Sequence, residues 1–179
     1  MARLSSDTDE MIELLDDLMQ LDHDAVQAYS QAIERLDAED VAVRRELESF
    51  RADHERHVAD LENAIRALGG EPRELRRDLK GALLEAFTVL RSSTGTLGAL
   101  EAMQTNEKHT NKAYSRAADV RLPLVARDVV ARNFDDERRH LAAIKALIGR
   151  IDQTAVDVDE IDTEDERDVM TEDRMGAPI

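Results

Sequence analysis

Asp22, His54, His57, Glu107, Glu137 and His140 are the residues of this chain whose types and spacing could hold a metal ion. Leu47, Phe50, His54, His57, Leu61, Ala64 and Leu68 follow one another at alternating steps of three and four, the inward stripe of an amphipathic helix. Val130, Asn133, Glu137, His140, Ile144, Leu147 and Ile151 form a second such stripe. Asp22 lies on the line Leu15, Leu18, Asp22, Ala25, Tyr29, and Glu107 on the line Leu100, Met103, Glu107, Thr110, Tyr114. Taken singly, each has an ordinary explanation. A lone core-facing histidine is more often a satisfied structural residue than a ligand, and an inward carboxylate can be salt-bridged to an arginine. The stripes, however, carry six ionisable groups and no Arg or Lys at the same positions. Three unpaired carboxylates in a core repel one another and resist ionisation, and a buried polar group without a partner costs free energy. A cation meets both demands. Carboxylate oxygens with imidazole nitrogens suit iron, manganese or zinc, not a soft copper site.

The elements that must position these groups can be read from the same pattern. Helix A is predicted from Asp7, which has capping-box spacing to Glu10, to about Leu36. After the polar link Asp37-Ala38-Glu39-Asp40, helix B runs to Leu68 and stops at Gly69-Gly70, ahead of Pro72. Leu79, Leu83, Phe87 and Leu90 predict a shorter helix over Leu75 to Arg91. Helix C follows from Thr96 to Asp119, and helix D begins after Leu122-Pro123 and ends near Ile151. Two tightly linked pairs joined by a long connection fit an all-α, ferritin-like four-helix bundle with one long helical crossover. An up-down bundle with a fifth helix outside fits the hydrophobic pattern as well. The two halves repeat. Asp22 precedes Tyr29 by seven residues and Glu107 precedes Tyr114 by seven, and each of these helices is followed by one carrying His54-x-x-His57 or Glu137-x-x-His140. A pseudo-twofold pair of hairpins would bring both halves of the polar set to one level of the core.

Composition narrows the setting. The 179 residues are 36% charged and 3% aromatic, with no Trp and three Pro, which favours long helices in one domain. There is no Cys, so disulfides, thiolate ligands and cysteine nucleophiles are excluded. Residues 1–10 have no apolar signal-peptide region and no apolar run approaches membrane-spanning length, so a cytoplasmic protein with no membrane partner is expected. A net charge of -16 would be repelled by a phosphate backbone, so no nucleic-acid partner is expected. Much of that charge lies beyond Ile151, where 11 acidic residues face only Arg167 and Arg174. The chain is therefore divided into a bundle, residues 1–151, and an acidic tail, residues 152–179, with the composition of disorder. A short docking peptide in the tail is the alternative. His23 and His109 fall off the stripes and are expected on the surface.

The stretches Leu21-Asp22-His23-Asp24-Ala25-Val26-Gln27-Ala28-Tyr29, His54-Glu55-Arg56-His57-Val58 and Gly69-Gly70-Glu71-Pro72 resemble ferritin-like bundle proteins of the rubrerythrin and bacterioferritin group, and especially an uncharacterised bacterial family of such domains. The likeness covers residues 10 to 150. It implies Asp22 and Glu107 as terminal ligands, one metal held by His57 and another by His140, and Glu137 as a bridge. Tyr29 and Tyr114 would lie in the surrounding shell, as radical relay or simply as core packing. One position departs: His54 stands where the family pattern has a bridging Glu, and an imidazole nitrogen has one lone pair. With three carboxylates, two divalent ions would leave a site charge of +1, which implies a weak or missing second metal and a bias towards Fe(II). Asp53 could substitute as a ligand after a helix-turn shift. The function so implied is iron or manganese chemistry on O2, peroxide or Fe(II), with one or two ions bound and a homo-oligomer compatible with the fold. The alternatives are a non-enzymatic, stress-associated bundle with a structural metal or assembly role and, last, cage-type iron storage.

Overall fold

The computed structural model describes residues 2–76 and 95–172, and the side chains of residues 7–76 and 95–153. Four helices are present among them: α1 (Ala2–Ile33), α2 (Val41–Ala67), α3 (Gly95–Ala118) and α4 (Leu124–Glu172). α1 packs on α2 and α3, and α4 packs on α3 and α2, so α1 and α4 are diagonal, as are α2 and α3.

The two ends of the bundle are fixed by local chemistry. At one end α2 closes with Gly69 at φ +84°, the left-handed region that side chains with a Cβ rarely enter. The Gly70 amide then donates to the Ile65 carbonyl at 3.0 Å and the Gly69 amide to that of Arg66 at 3.0 Å, satisfying carbonyls at the helix end. Gly70 is held for a different reason. A Cβ there would stand 2.7 Å from Ile12 Cδ1, so the turn lies directly on α1. At the other end Asp37, in the α1–α2 loop, accepts from the Thr96 amide at 3.0 Å and from its hydroxyl at 3.1 Å. The Asp37 amide donates back to Thr96 Oγ1 at 3.1 Å. The start of α3 is thus tied to the end of α1.

These contacts decide the topology. α2 ends at one end of the bundle, whereas α3 starts at the other, so the connection must travel its whole length and α2 and α3 run parallel. The connection sets out in that direction. The Arg73 amide donates to Asp16 Oδ1 at 2.9 Å and the Arg76 amide to Gln20 Oε1 at 3.1 Å, one turn further along α1. This is the ferritin-like crossover, and the up-down alternative is excluded. Of the helix predicted over Leu75 to Arg91, Leu75 and Arg76 are not helical, and the remainder lies outside the described residues.

Two apolar layers fill the core. Leu47, Phe50, Leu100, Met103, Ile144 and their neighbours form one, and Leu15, Leu18, Leu61, Ile65, Ala126 and Val130 belong to the other. Each fully buried Leu or Ile contributes roughly 1.5–3 kcal/mol. Together they offset the desolvation of the polar groups held between them. Helix D was predicted to end near Ile151, where the apolar stripe stops, but α4 continues to Glu172. No Gly or Pro interrupts residues 150–172 after Gly149, so the end of the apolar sequence pattern does not end the helix.

Candidate metal centre

All six predicted residues meet in the layer between the two apolar clusters. Asp22 comes from α1, His54 and His57 from α2, Glu107 from α3, and Glu137 and His140 from α4, and all are 0% exposed. They form two overlapping sets, Asp22–His54–His57–Glu137 and His54–Glu107–Glu137–His140. Within each set, one ligand atom from every residue lies within 4.8 Å of the others.

His54 sits in the middle. Its Nδ1 is 2.9 Å from Asp22 Oδ1 and its Nε2 is 3.3 Å from Glu107 Oε1, while Nδ1 is also 3.4 Å from Glu137 Oε1. Burial opposes a charge on this ring, but Glu137, Asp22 and Glu107 outweigh it and raise its pKa well above the usual histidine value. His54 is therefore an imidazolium that donates to both halves of the site. Burial pushes the Asp22 carboxyl up, yet the two histidines beside it bring it below the ordinary value. Glu137 is raised, first by burial.

The other two histidines are oriented alike. His57 turns Nε2 outward, 3.3 Å from Asp136 Oδ2, and His140 turns Nε2 outward, 3.0 Å from Asp53 Oδ2. Each helix thus supplies the carboxylate that holds the other helix's histidine. Arg139 binds Asp53 and Asp136 at 2.7 Å each, and Arg56 also bridges the two. Burial raises the Asp53 carboxyl, but hydrogen bonds from His140, Arg139 and Arg56 hold it far below the carboxylate range. The inner nitrogens differ. His57 Nδ1 is 3.3 Å from Glu137 Oε1 and 3.5 Å from Asp22 Oδ1, neither aligned as a hydrogen bond. His140 Nδ1 is 3.8 Å from Glu107 Oε2. Burial opposes the charge on His57, and Asp22 and Glu137 overcome it to give a pKa of about 9. Burial and then the charge of His54 lower His140 to about 4.

The tyrosines complete the set crosswise. Tyr29 on α1 donates to Glu107 Oε1 on α3 at 2.6 Å, and Tyr114 on α3 donates to Asp22 Oδ2 on α1 at 2.6 Å. Burial, then the neighbouring carboxylates, raise both phenols well above their usual pKa, so they remain donors. The two halves are not identical. Phe50 packs on the His140 ring at 4.4 Å between centroids, whereas Asn133, its counterpart, donates to the Tyr114 hydroxyl at 3.2 Å. Outside His57, a cleft of about 340 Å³ is lined by Arg56, Asp60, Arg132, Asn133, Asp135 and Asp136.

The residues present fit a cation. His57 Nδ1, His140 Nδ1, Glu107 Oε2 and both Glu137 carboxylate oxygens are buried without a hydrogen-bond partner among the described residues. Each such atom costs about 1–3 kcal/mol, so the five together would consume most of a domain's ordinary stability of about 5–15 kcal/mol. A carboxylate-held histidine with its other nitrogen free is also the arrangement that orients imidazole ligands on metals.

Two expectations are corrected. Asp53 makes no helix-turn shift into the core; α2 is continuous, and Asp53 faces the outer nitrogen of His140. His23 and His109 are half-buried, not exposed, because they border the stripes of α1 and α3 that pack on neighbouring helices. Asp136, Arg56 and Arg139 lie off the apolar stripes, so helical periodicity does not point to them. Their signal is the repeat Asp53-x-x-Arg56-His57 and Asp136-x-x-Arg139-His140.

A family described as "Domain of unknown function (DUF2383)" matches residues 10–119. The chain belongs to that family. The matched span includes α2 and α3 and most of α1, so Asp22, His54, His57 and Glu107 lie within it and the two α4 residues beyond it. No curated protein matches the chain. Among solved structures, the chain is similar to that titled "Crystal structure of ferritin like, diiron-carboxylate proteins from Bacillus anthracis str. Ames". The TM-score is 0.62 at 21% identity, over 79% of this chain and 97% of that one. At this identity the likeness bears on the fold: the domain is a ferritin-like four-helix bundle. Among the described residues, no helix is long and apolar enough to cross a membrane.

Proposed function

We propose that the core cluster binds one or two metal ions, iron foremost, and that the protein is an oxidoreductase acting on O2, peroxide or Fe(II). The observation that carries this reading is the orientation of His57 and His140, each fixed by a carboxylate on Nε2 and presenting an unpartnered Nδ1 to buried carboxylates. Manganese and zinc suit the same donors. Iron comes first because the similar structure is of proteins described as diiron-carboxylate. Asp22 and Glu107 would act as carboxylate ligands steadied by Tyr114 and Tyr29, Glu137 would serve both sets, and His57 and His140 would each give one nitrogen. Bound iron would supply the electrons for reducing O2 or peroxide. The chain's part is to orient the ligands, exclude water between two apolar layers and keep the tyrosine hydroxyls donating to the carboxylates.

Iron-loaded protein should oxidise Fe(II) under O2 or peroxide, followed by ferric absorbance, faster than a His57→Ala, Glu137→Ala double variant. A rate equal to the protein-free control removes the catalytic reading. A structural cation without turnover is the second reading, favoured by the complete burial of all six residues beneath the Arg–Asp pairs.

A further inference from the structure

His54 is the residue that departs from a carboxylate-bridged centre, and its placement offers a substitute for the missing bridge. It is shared by both candidate sets, and it faces them with different nitrogens. Nδ1 looks towards Asp22 at 2.9 Å and Glu137 at 3.4 Å, in the set completed by His57. Nε2 looks towards Glu107 at 3.3 Å, in the set completed by His140. One nitrogen has one lone pair and cannot bridge, but a ring with two nitrogens can give one to each of two cations.

We infer that His54 is the bridging ligand of a two-cation centre, with Nδ1 binding the ion held by Asp22 and His57 and Nε2 binding the ion held by Glu107 and His140. This rests on the metal-binding reading above. Loading is a metal-for-proton exchange. One metal–nitrogen bond forms at Nδ1 and one at Nε2, every proton the ring carried on those nitrogens leaves to solvent, and no electrons move. The resulting imidazolate adds one negative charge to those of Asp22, Glu107 and Glu137, so the ligands balance two divalent ions. The charge deficit left by replacing a bridging Glu is thereby removed. The ring is also prevented from turning away. It is fully buried, and it lies between Tyr29, 5.4 Å away, and the His57 and His140 rings at 5.5 and 5.3 Å between centroids.

The bridge sets the distance between the ions. Two metal–nitrogen bonds of about 2.0–2.1 Å on opposite sides of one ring place them about 6 Å apart, whereas centres clamped by shared oxygens hold them about 3.5–4 Å apart. Redox-silent Zn2+ added to the full-length protein, with stoichiometry from elemental analysis and positions from anomalous diffraction, separates the two. Two Zn2+ about 6 Å apart with His54 between them are expected, and His54→Glu should draw them in to about 3.5–4 Å. A single bound Zn2+, two ions at the shorter distance in the unaltered protein, or a separation unchanged in His54→Glu overturns the bridge and leaves metal binding intact. Absence of any bound metal, with Zn2+ and Fe(II) alike, overturns the metal-binding reading itself. If His54→Glu does not fold, the separation in the unaltered protein decides.

Discussion

Asp53 and Asp136 hold the outer nitrogens of His140 and His57, and their removal should loosen the inner ones. Asp136→Asn or Asp53→Asn is expected to weaken metal affinity about 10- to 100-fold, the usual cost of losing a carboxylate behind a metal-binding histidine; a competition titration against a chelator measures it. The histidines also set a pH profile for the metal-free protein. His57 is raised to about 9, above its unfolded value of about 6.5, so its stabilisation is present below about 6.5 and lost as pH rises through 9. His140 is lowered to about 4, so the unfolded chain takes a proton that the fold refuses, and stability falls as pH drops from about 6.5 to 4. The unfolding free energy of the metal-free protein, measured by urea titration, should therefore peak near pH 6.5, with His57 contributing about 3 kcal/mol to the alkaline fall and His140 about the same to the acid fall. A midpoint rising steadily from pH 6 to 9 would contradict these protonation states. The six inner residues were legible because helical periodicity fixes which way a side chain faces. The outer pairs were not, since Asp53 and Asp136 lie one position off the stripe and their partners are on another helix.

At the scale of the element, the breaks between helices were legible because turn chemistry is local. Gly69-Gly70 marked the end of α2, and the structure adds that the two glycines serve different ends, a positive φ at Gly69 and contact with Ile12 at Gly70. Gly69→Ala meets open space and should cost about 1–2 kcal/mol from its left-handed backbone alone. Asp37→Ala removes the cap on α3 and should cost about 0.5–2 kcal/mol in denaturant unfolding. An Asp37→Ala protein as stable as the parent would show that the α1–α2 loop does not anchor α3. The far end of α4 was misplaced for a physical reason. The apolar stripe reports which face is buried, not whether the backbone stays helical, and α4 outlasts its stripe.

For the whole molecule, hydrophobic pattern left two arrangements of the same helices open, because amphipathic faces do not encode which way the connection runs. Contacts between distant residues decide it: Asp37 with Thr96, and Arg73 and Arg76 with α1. Each candidate set draws on three helices and the two sets together on all four, so ions bound in both would tie the whole bundle together. Metal at about 100 times its dissociation constant should stabilise the bundle by about 2.7 kcal/mol, seen as a rise in Tm that a chelator reverses. The six core residues all lie before Ile151, and truncation after Ile151 should leave metal stoichiometry unchanged. Elemental analysis of the purified protein beside the His57→Ala, Glu137→Ala variant tests the core cluster most directly. One or two metal ions per chain in the parent and a marked loss in the variant are predicted; equal metal content in both would contradict the metal centre.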